Sequence, residues 1–592
     1  MNIEQHYISL RKHYGFIKDG ECFSVSIDEL NTILCCTKRN TQLVLNKLME
    51  QQFIKWQPGR GRGNTSKMTF LQSLHELVLK KAKQLAMEEN LEEAWNLVDQ
   101  LHVVKYDFTE WLYRHFGFHH NDEDHDILRF PFYRPVLNLD PTFVHRRTEA
   151  DLVNQIFDTL VDYDEKSNRI IPQLAHFWEI NEDKTIWRFY LRKGVRFHHG
   201  KLMTSKDVEY TFQRILKYSN FANLLTTIKE VNSIGKYVVE FTLFEPNVLF
   251  IHYLCLETCS ILPHDLDEIQ QVQSIERMPI GTGPFRIKKN SESLLALEAN
   301  DYYYDGRSQI DGIEMWVWPN YDETKMIQRL EKDDIYFGNF SVSHDAHIQL
   351  DNVEKGSTYL TFNLNKKGPL QDELLRAAIH YGINRTKMIQ ELGNMRELPS
   401  SSFFPSDSKK HFREEFNLEQ AKTLLSNSCY CGETLQLYTY EMNSNEENAK
   451  WIQKELKAIG VSCRIVILPI QQLANQAILQ KADMIVAGEV LGIQPDIALI
   501  EMYSFENGFI YNHLSFQQMN KVQQVIGLCK KEENTQIRKQ LLIKLEEELQ
   551  KQHCFLFLYH TKQTVKHSHL LNGIMLNAWG KVDYKNVWIK KN

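Results

Sequence analysis

Residues 37–70 read TKRNTQLVLNKLMEQQFIKWQPGRGRGNTSKMTF, and this stretch decides the fold of the N-terminal part of the chain. Its first half has apolar residues at helical spacing, and its second half has two strand-like runs on either side of a glycine-rich turn. A phosphate-binding glycine loop leads from a strand into a helix with a defined glycine spacing. Here the glycines recur at every second residue and a strand follows, so the stretch predicts a helix and a β-hairpin, and nucleotide binding is disfavoured.

A shorter helix is predicted immediately before this stretch. Ser26 and Glu29 form a capping box ahead of apolar residues at helical spacing, and a short break follows at residues 35–36. Thr37 can cap the second helix. The predicted buried face of that helix consists of Thr41, Val44, Leu45 and Leu48.

The opposite face of the second helix carries polar side chains that can read DNA bases. They are Lys38, Arg39, Gln42 and Asn46. Arginine and lysine can bind guanine edges, and asparagine and glutamine can bind adenine. Two short helices joined by a tight turn, the second with such a face, predict a helix-turn-helix. The alternative is a plain three-helix module whose polar face is only solvated.

The β-hairpin suits the wing of a winged helix. Arg60, Arg62 and Lys67 could reach phosphates or a minor groove from it. Between Lys38 and Phe70 the sequence has seven lysines and arginines and one acid, a local charge of +6 in a chain whose net charge is −7. This contrast predicts a DNA partner and a winged helix-turn-helix over residues 1–70.

The 592 residues exceed what a single core supports, so several domains are expected. Residues 71–118 are predicted as a helical connector that could also form a homodimer, with one long helix over 71–101 and another over about 108–116. The acidic, histidine-rich segment 119–126 is predicted as a linker. Its spacing matches no metal-ligand pattern, and neither a metal nor a cofactor is expected.

The compartment is predicted from what the sequence lacks. We find no apolar segment and cleavage site typical of a secretory signal, and no run of 18 apolar residues. Ten irregularly spaced cysteines are typical of reduced thiols. These features predict a cytoplasmic protein without a membrane partner.

Residues 127–592 alternate strand-like and helix-like segments with long connections, which predicts a multidomain α/β protein with a two-lobed, cleft-containing body. We expect one lobe to comprise 127–355 and 560–592, and the other to comprise 356–559. The hinge is expected near residues 356 and 560.

Several motifs of this body resemble the solute-binding proteins of oligopeptide, dipeptide and nickel importers. They are LNLDP (137–141), FYLRKGVRFHHGKLMTSKDVEYTFQRI (189–215), PIGTGPFRIKKN (279–290) and YLTFNLNKKGPLQDELLRAAIHYGINR (359–385). The N-terminal 118 residues, and residues 36–71 especially, resemble the winged-helix domain of SgrR-type regulators, which join a DNA-binding head to such a body. The resemblance implies a periplasmic-binding-protein-like fold of the oligopeptide-binding type. It also implies a regulator that senses a small molecule, in the best-known relatives a sugar phosphate.

The resemblance also suggests ligand contacts. The matching loops and strand ends carry Tyr133, Arg134, Tyr440, Glu441 and Glu489. An arginine fork such as that of Arg134 suits a carboxylate or phosphate. Peptide-binding members hold the α-amino group of the substrate with an aspartate, but the matching position here is Leu491. This departure makes peptide binding by this cleft an open question.

Two other classes of protein, an importer subunit and an enzyme, agree less well with the sequence than a regulator does. An importer's solute-binding subunit needs an export signal and usually a lipidated cysteine near its start, and the sequence has neither. An enzyme is disfavoured because no known catalytic motif occurs in its required context. The His198–His199 pair is predicted to be structural.

Overall fold

The computed structural model describes residues 3–59, 65–88, 90–99, 101–120, 125–144, 146–218, 225–318, 337–338 and 347–590. Within these residues the N-terminal head is a winged helix. Its elements in chain order are α1 (Ile3–His13), β1 (Cys22–Val25), α2 (Ile27–Ile33), α3 (Lys38–Glu50), β2 (Ile54–Gln57) and β3 (Ser66–Phe70). The three strands are antiparallel in the order β1-β3-β2. Helix α1 and strand β1 were not predicted.

The local signals that define α2 and α3 act largely as predicted. The Ser26 hydroxyl accepts a hydrogen bond from the Glu29 backbone N–H at 3.1 Å, whereas Thr37 caps α3 without a side-chain bond. The buried face of α3 is the predicted one: Thr41, Val44, Leu45 and Leu48. These side chains join a core with Tyr7 of α1 and Phe70 of β3, so the hydrophobic effect fixes which face of α3 points outward.

The connector consists of α4 (Leu74–Met87), α5 (Leu91–Val98) and α6 (His102–Tyr113). The prediction of one long helix over 71–101 was therefore wrong. The Asn90 side chain accepts a hydrogen bond from the Glu93 backbone N–H at 3.4 Å and begins a new helix there.

The predicted linker 119–126 has strand structure at both of its ends. Strand β4 (Gly117–His120) pairs antiparallel with β5 (Asp126–Phe132). Strand β5 also pairs in parallel with a strand of the body at Gly312–Val317, so this hairpin belongs to a sheet of the body. Acidic and histidine-rich composition misled the prediction because it does not reveal strand pairing. The part of the predicted linker between the two strands, 121–124, lies outside the described residues.

The connector packs on both of its neighbours. Ile8 of α1 shares a core cluster with α4, and the same cluster includes Trp316 and Trp318 of the body. The Trp318 ring lies 5.4 Å from that of Trp95 and 4.8 Å from that of Tyr113, between ring centroids. Apolar contacts thus run without interruption from the head through the connector to the body.

The remaining strands of the body form several sheets. Their bounds are β6 (Val161–Asp164), β7 (Arg169–Pro172), β8 (Ala175–Ile180), β9 (Ile186–Leu191), β10 (Ile228–Ser233), β11 (Val238–Leu243), β12 (Phe285–Asn290), β13 (Leu294–Ala299), β14 (Gly312–Val317), β15 (Phe337–Gly338), β16 (His347–Val353), β17 (Gly356–Phe362), β18 (Arg396–Pro399), β19 (Leu435–Tyr440), β20 (Cys463–Leu468), β21 (Met484–Val490), β22 (Phe555–Ser568), β23 (Leu571–Asn572) and β24 (Trp588–Ile589). The largest sheet runs β15-β22-β17-β21-β19-β20, with β16 and β18 also paired to β22.

Helices cover these sheets. They are α7 (Arg147–Ile156) and then Ser205–Tyr218, Phe250–Tyr253, Leu266–Ile269, Glu373–Gly382, Arg385–Leu392, Pro405–His411, Leu418–Ser426, Asn443–Ile459, Ile470–Leu473, Gln476–Leu479, Pro495–Ser504, Phe509–His513, Phe516–Cys529 and Thr535–Lys551. Among the described parts of the chain, no helix is both long and apolar enough to cross a bilayer.

The core packing differs from the predicted division into lobes. One buried cluster joins side chains from 160–261 with side chains from 359–557, which the prediction had placed in separate lobes. Backbone and side-chain bonds cross the same boundary, including the bond between His252 Nδ1 and Gln494 Oε1. Apolar periodicity shows which faces are buried but not which element each face packs against. Strand β22 pairs with β16 through residues 562–568 and with β17 through residues 555–559, so it runs past the predicted hinge near 560.

The glycines of the PIGTGPF motif are explained by a close backbone approach. A Cβ atom at Gly281 would lie 2.0 Å from the Ile156 carbonyl oxygen, and one at Gly283 would lie 2.5 Å from the Ile156 carbonyl carbon. The Gly283 N–H donates to that oxygen at 2.9 Å. These glycines thus hold the end of α7, which lines the cleft, against the neighbouring loop.

Candidate functional site

The head exposes the predicted DNA-reading side chains on one face. Lys38, Arg39, Gln42 and Asn46 are all exposed on α3, and the Gln42 amide donates to the Asn46 side-chain oxygen at 3.3 Å. Helix α3 thus has a buried apolar face and an exposed polar one, the arrangement that a recognition helix needs.

The structure describes the two strands of the wing but not the tip between them, residues 60–64. Lys67 is exposed on β3, and the Gly59 N–H donates to the Ser66 hydroxyl at 3.1 Å, which helps to close the hairpin. Arg60 and Arg62 lie outside the described residues. Their contact with DNA therefore stays a prediction.

The body contains a large cavity between its sheets. Its volume is about 2430 Å³, larger than the roughly 300–1,000 Å³ of an ordinary small-molecule site, so it has room for an extended ligand. Twelve acidic and six basic side chains line it. The charged side chains that line the cavity are therefore mainly acidic.

All five predicted ligand contacts line this cavity. Tyr133 is 52% exposed, and Tyr440 lies at the end of β19, as predicted. The Glu441 carboxylate lies 4.0 Å from an Arg146 guanidinium nitrogen. The structure thus places all five residues in the lining of one cavity. Their contact with a ligand stays a prediction.

Arg134 differs from its predicted role as a free anion-binding fork. Both of its terminal nitrogens donate to the Glu149 carboxylate, at 2.6 and 2.8 Å, and its Nε donates to the Tyr133 hydroxyl at 3.0 Å. Glu149 is on α7, and only the tertiary fold brings it to Arg134. An incoming phosphate would have to displace a bidentate ion pair that is largely shielded from water.

The strand β21 carries Glu489 into the cavity. Burial raises the pKa of Glu489 to about 7, and its carboxylate has no hydrogen bond or ion pair with any described residue. Leu491, the position that the resemblance matches to the aspartate of peptide-binding members, is fully buried in the core. The cleft therefore lacks that aspartate but has a carboxylate two residues earlier.

Sequence reasoning missed Glu501 and Tyr359. Glu501 lines the cavity from the helix Pro495–Ser504, and burial together with the charges of Glu257 and Glu489 raises its pKa to about 8. A single acid in the otherwise apolar run IALIEM was an available signal for Glu501. No local signal marks Tyr359, because it lies within a fully buried strand.

His198 makes hydrogen bonds with the backbone of the glycine motif. Its Nε2 lies 3.1 Å from the Gly283 carbonyl oxygen, and its Nδ1 accepts from the Gly281 N–H at 3.2 Å. Burial lowers the pKa of His198 to about 4, so the ring is neutral at pH 7. In the part of the chain that the structure describes, no group of His, Cys, Asp and Glu side chains could hold a metal ion.

Two protein families match two separate parts of the chain. The family described as "Sugar transport-related sRNA regulator N-term" matches residues 2–120. The family described as "Bacterial extracellular solute-binding proteins, family 5 Middle" matches residues 169–509. These families are regulators and binding proteins.

Curated proteins resemble this chain in sequence. The protein YhjP of Bacillus subtilis is 32% identical over the full length of both chains. The HTH-type transcriptional regulator SgrR of Pectobacterium atrosepticum is 30% identical over 62% of each chain, so the match spans less than two thirds of that regulator.

Solved structures resemble the body in fold. A dipeptide-binding protein of Pseudoalteromonas sp. SM9913, in complex with Met-Leu, has a TM-score of 0.67 at 19% identity, over 78% of this chain and all of that one. The oligopeptide-binding protein AppA of Bacillus subtilis has a TM-score of 0.66 at 20% identity, over 78% and 99% of the respective chains. From these matches and the architecture above, the chain belongs to the family 5 bacterial solute-binding proteins and carries an SgrR-type N-terminal domain ahead of its solute-binding domain.

Proposed function

We propose that this protein is a cytoplasmic transcriptional regulator that binds operator DNA through its winged helix and senses a small molecule in the cleft of its body. One observation carries the proposal: α3 buries Thr41, Val44, Leu45 and Leu48 while it exposes Lys38, Arg39, Gln42 and Asn46. A merely structural helix gains nothing from this concentration of base-reading side chains on its outer face. The SgrR relatives support the same function.

The cleft supplies the sensing half of the proposal. A ligand changes DNA binding only if it prefers one conformation of the body, and a shift from 1:99 to 99:1 takes about 5.5 kcal/mol of differential affinity. A cavity of about 2430 Å³ with many polar side chains offers enough contacts for such a preference. The sensor is proposed to act by closing around its ligand.

The direct test is a titration of fluorescent duplex DNA with the intact protein. The duplex is taken from the region upstream of the protein's own gene, and a shuffled duplex of equal length and composition is the control. We expect the upstream duplex to bind more tightly than the shuffled one by a factor of about 10³ or more at physiological salt. Equal affinity for the two duplexes would contradict the proposal.

The wing gives a prediction about salt. Replacing Arg60 and Arg62 by alanine is expected to weaken binding to both duplexes and to reduce the slope of log affinity against log salt by about one to two units, since each phosphate contact releases about one counterion. The matched control is Lys80→Ala with Lys422→Ala, which removes two exposed lysines outside the head. A slope that stays unchanged in the wing variant would remove the wing from the interface.

A further inference from the structure

Glu489 and Glu501 are carboxyl groups in the cleft without a partner among the described residues. Glu489 and Glu501 line the cavity from β21 and from the helix Pro495–Ser504, and neither side chain has a hydrogen bond or ion pair with a described residue. Glu257 also lines the cavity and acts electrostatically on Glu501. Glu489 likewise acts on Glu501, and the ionised forms of carboxyl groups in such a shielded site are unfavourable unless the groups take up protons or a counter-charge binds there.

The basic side chains of the cavity do not supply that counter-charge. Five of the six pair with other carboxylates: Arg134 with Glu149, Arg146 with Glu441, Arg147 with Glu354, Arg396 with Glu447, and Lys585 with Asp305. The sixth, Arg192, donates its Nε to the Gln173 carbonyl oxygen and lies over the Tyr304 ring. The acidic groups therefore face the open volume of the cavity.

Two polar groups elsewhere in the lining of the cavity also lack partners among the described residues. Tyr359 is 1% exposed, and its hydroxyl has no hydrogen bond with a described residue, although it lines the cavity and lies in the field of Glu489. Gln155 is 5% exposed and lines the cavity, and its side-chain oxygen accepts no hydrogen bond from a described residue. Polar groups of buried residues without partners are costly, so the Tyr359 hydroxyl in the field of Glu489 points to a ligand that completes it.

We propose that the cleft binds an organic cation, a ligand with ammonium or guanidinium groups, and that Glu489 and Glu501 hold its positive charge. The proposal rests on the sensing role of the cleft and names the chemical class of the ligand. A metal ion is disfavoured because the described side chains do not converge into a metal-binding group. A phosphate is disfavoured because the basic side chains that could bind it are already engaged.

The acidity of the site supports this assignment. The raised pKa values of Glu489 and Glu501, about 7 and about 8, mean that both groups are partly protonated at pH 7. The groups that act on them are Glu257, Tyr359 and Tyr440, with Tyr253 and Cys259 also in the field of Glu501. A bound cation stabilises the ionised carboxylates, so binding should release protons and tighten as pH rises from 6 to 9.

The test is isothermal titration of the intact protein with four probes: 1,4-diaminobutane, spermidine, 1,4-butanediol and glucose 6-phosphate. We expect saturable binding of at least one amine and none of the diol, which matches diaminobutane in length but lacks its charge. Titrations in two buffers of different ionisation enthalpy should show proton release at pH 7. The proposal is overturned if neither amine binds, or if the diol binds as tightly as the diamine.

Variants test whether Glu489 and Glu501 bind the positive charge of the ligand. Replacing Glu489 and Glu501 together by glutamine should weaken amine binding by at least about tenfold and abolish the proton release, because charge-assisted hydrogen bonds are lost. Glutamine keeps the shape and removes repulsion, so the folded structure should persist, which circular dichroism can verify. The control is Glu506→Gln, an exposed position five residues from Glu501. Unchanged amine affinity in the double variant would overturn the assignment.

The outcome is separable from that of the proposed function. Binding of the upstream duplex is measured without any added amine. Selective DNA binding together with absent amine binding would refute the ligand class and leave the regulator intact. Amine binding together with absent DNA selectivity would refute the regulator and leave the ligand class intact.

Discussion

Replacing Lys38 and Arg39 together by glutamate is expected to lower the affinity for the upstream duplex by about two to four orders of magnitude. Each specific base contact contributes about 1–3 kcal/mol, and the reversed charges also repel the phosphates. Both side chains are exposed at the start of α3, so folding should be unaffected. Fluorescence anisotropy with labelled DNA measures the change, and thermal unfolding verifies that the head is intact.

A control variant separates local contacts from total charge. Lys80→Glu with Lys422→Glu changes the net charge by the same amount, at exposed positions outside the head. Its DNA affinity should stay within about threefold of the wild type at physiological salt, where distant charges are screened. If both double variants lost affinity equally, α3 would not be the recognition helix.

Replacing Arg538 by methionine is expected to lower the free energy of unfolding of the body by about 3–5 kcal/mol, the usual result of leaving one member of a buried ion pair alone. The Arg538 and Asp496 side chains are 1% and 5% exposed, and the Nε donates to the carboxylate at 2.7 Å. Arg538 also donates to the carbonyl oxygens of Glu532 and Glu533. Urea-induced unfolding, followed by tryptophan fluorescence, measures the loss.

The double variant Asp496→Leu with Arg538→Met tests the cause. It removes the stranded carboxylate and should recover part of the lost stability, though not all of it, because the two carbonyl oxygens still lose their donor. Equal stability of the single and double variants would show that the ion pair is not what holds this region. Asp496 lies in the first turn of the helix that carries Glu501 into the cleft, so the pair also positions the proposed cation site.

The sequence predicted those features that local patterns determine. The buried face of α3, its exposed polar face and the hairpin after it follow from apolar periodicity and turn composition within a single stretch. Strand β1 was missed because it is four residues long and gains its stability from pairing with β3. The break at Asn90 was missed because one capping residue outweighed a continuous apolar pattern.

The cleft could be predicted only in outline. Resemblance to solute-binding proteins indicated residues that do line the cavity, Tyr133 and Tyr440 among them. It could not reveal that Glu149 occupies the Arg134 fork, since that pairing depends on how α7 lies against the loop before it. Glu489, Glu501 and Glu257 lie on three separate elements, and only the tertiary fold makes them neighbours.

The packing of the connector on the head and the body restricts how ligand binding in the cleft could affect DNA binding. The head packs on α4 through Ile8, and the same cluster continues to Trp316 and Trp318, so we expect the head and the sheet that carries these tryptophans to move as one unit. Closure of the cleft is then expected to leave the orientation of α3 relative to this sheet unchanged. Closure of the cleft would instead change the distance from the head to the opposite side of the cleft. Only a molecule that contacts both, such as DNA or a second copy of the chain, could respond to that change.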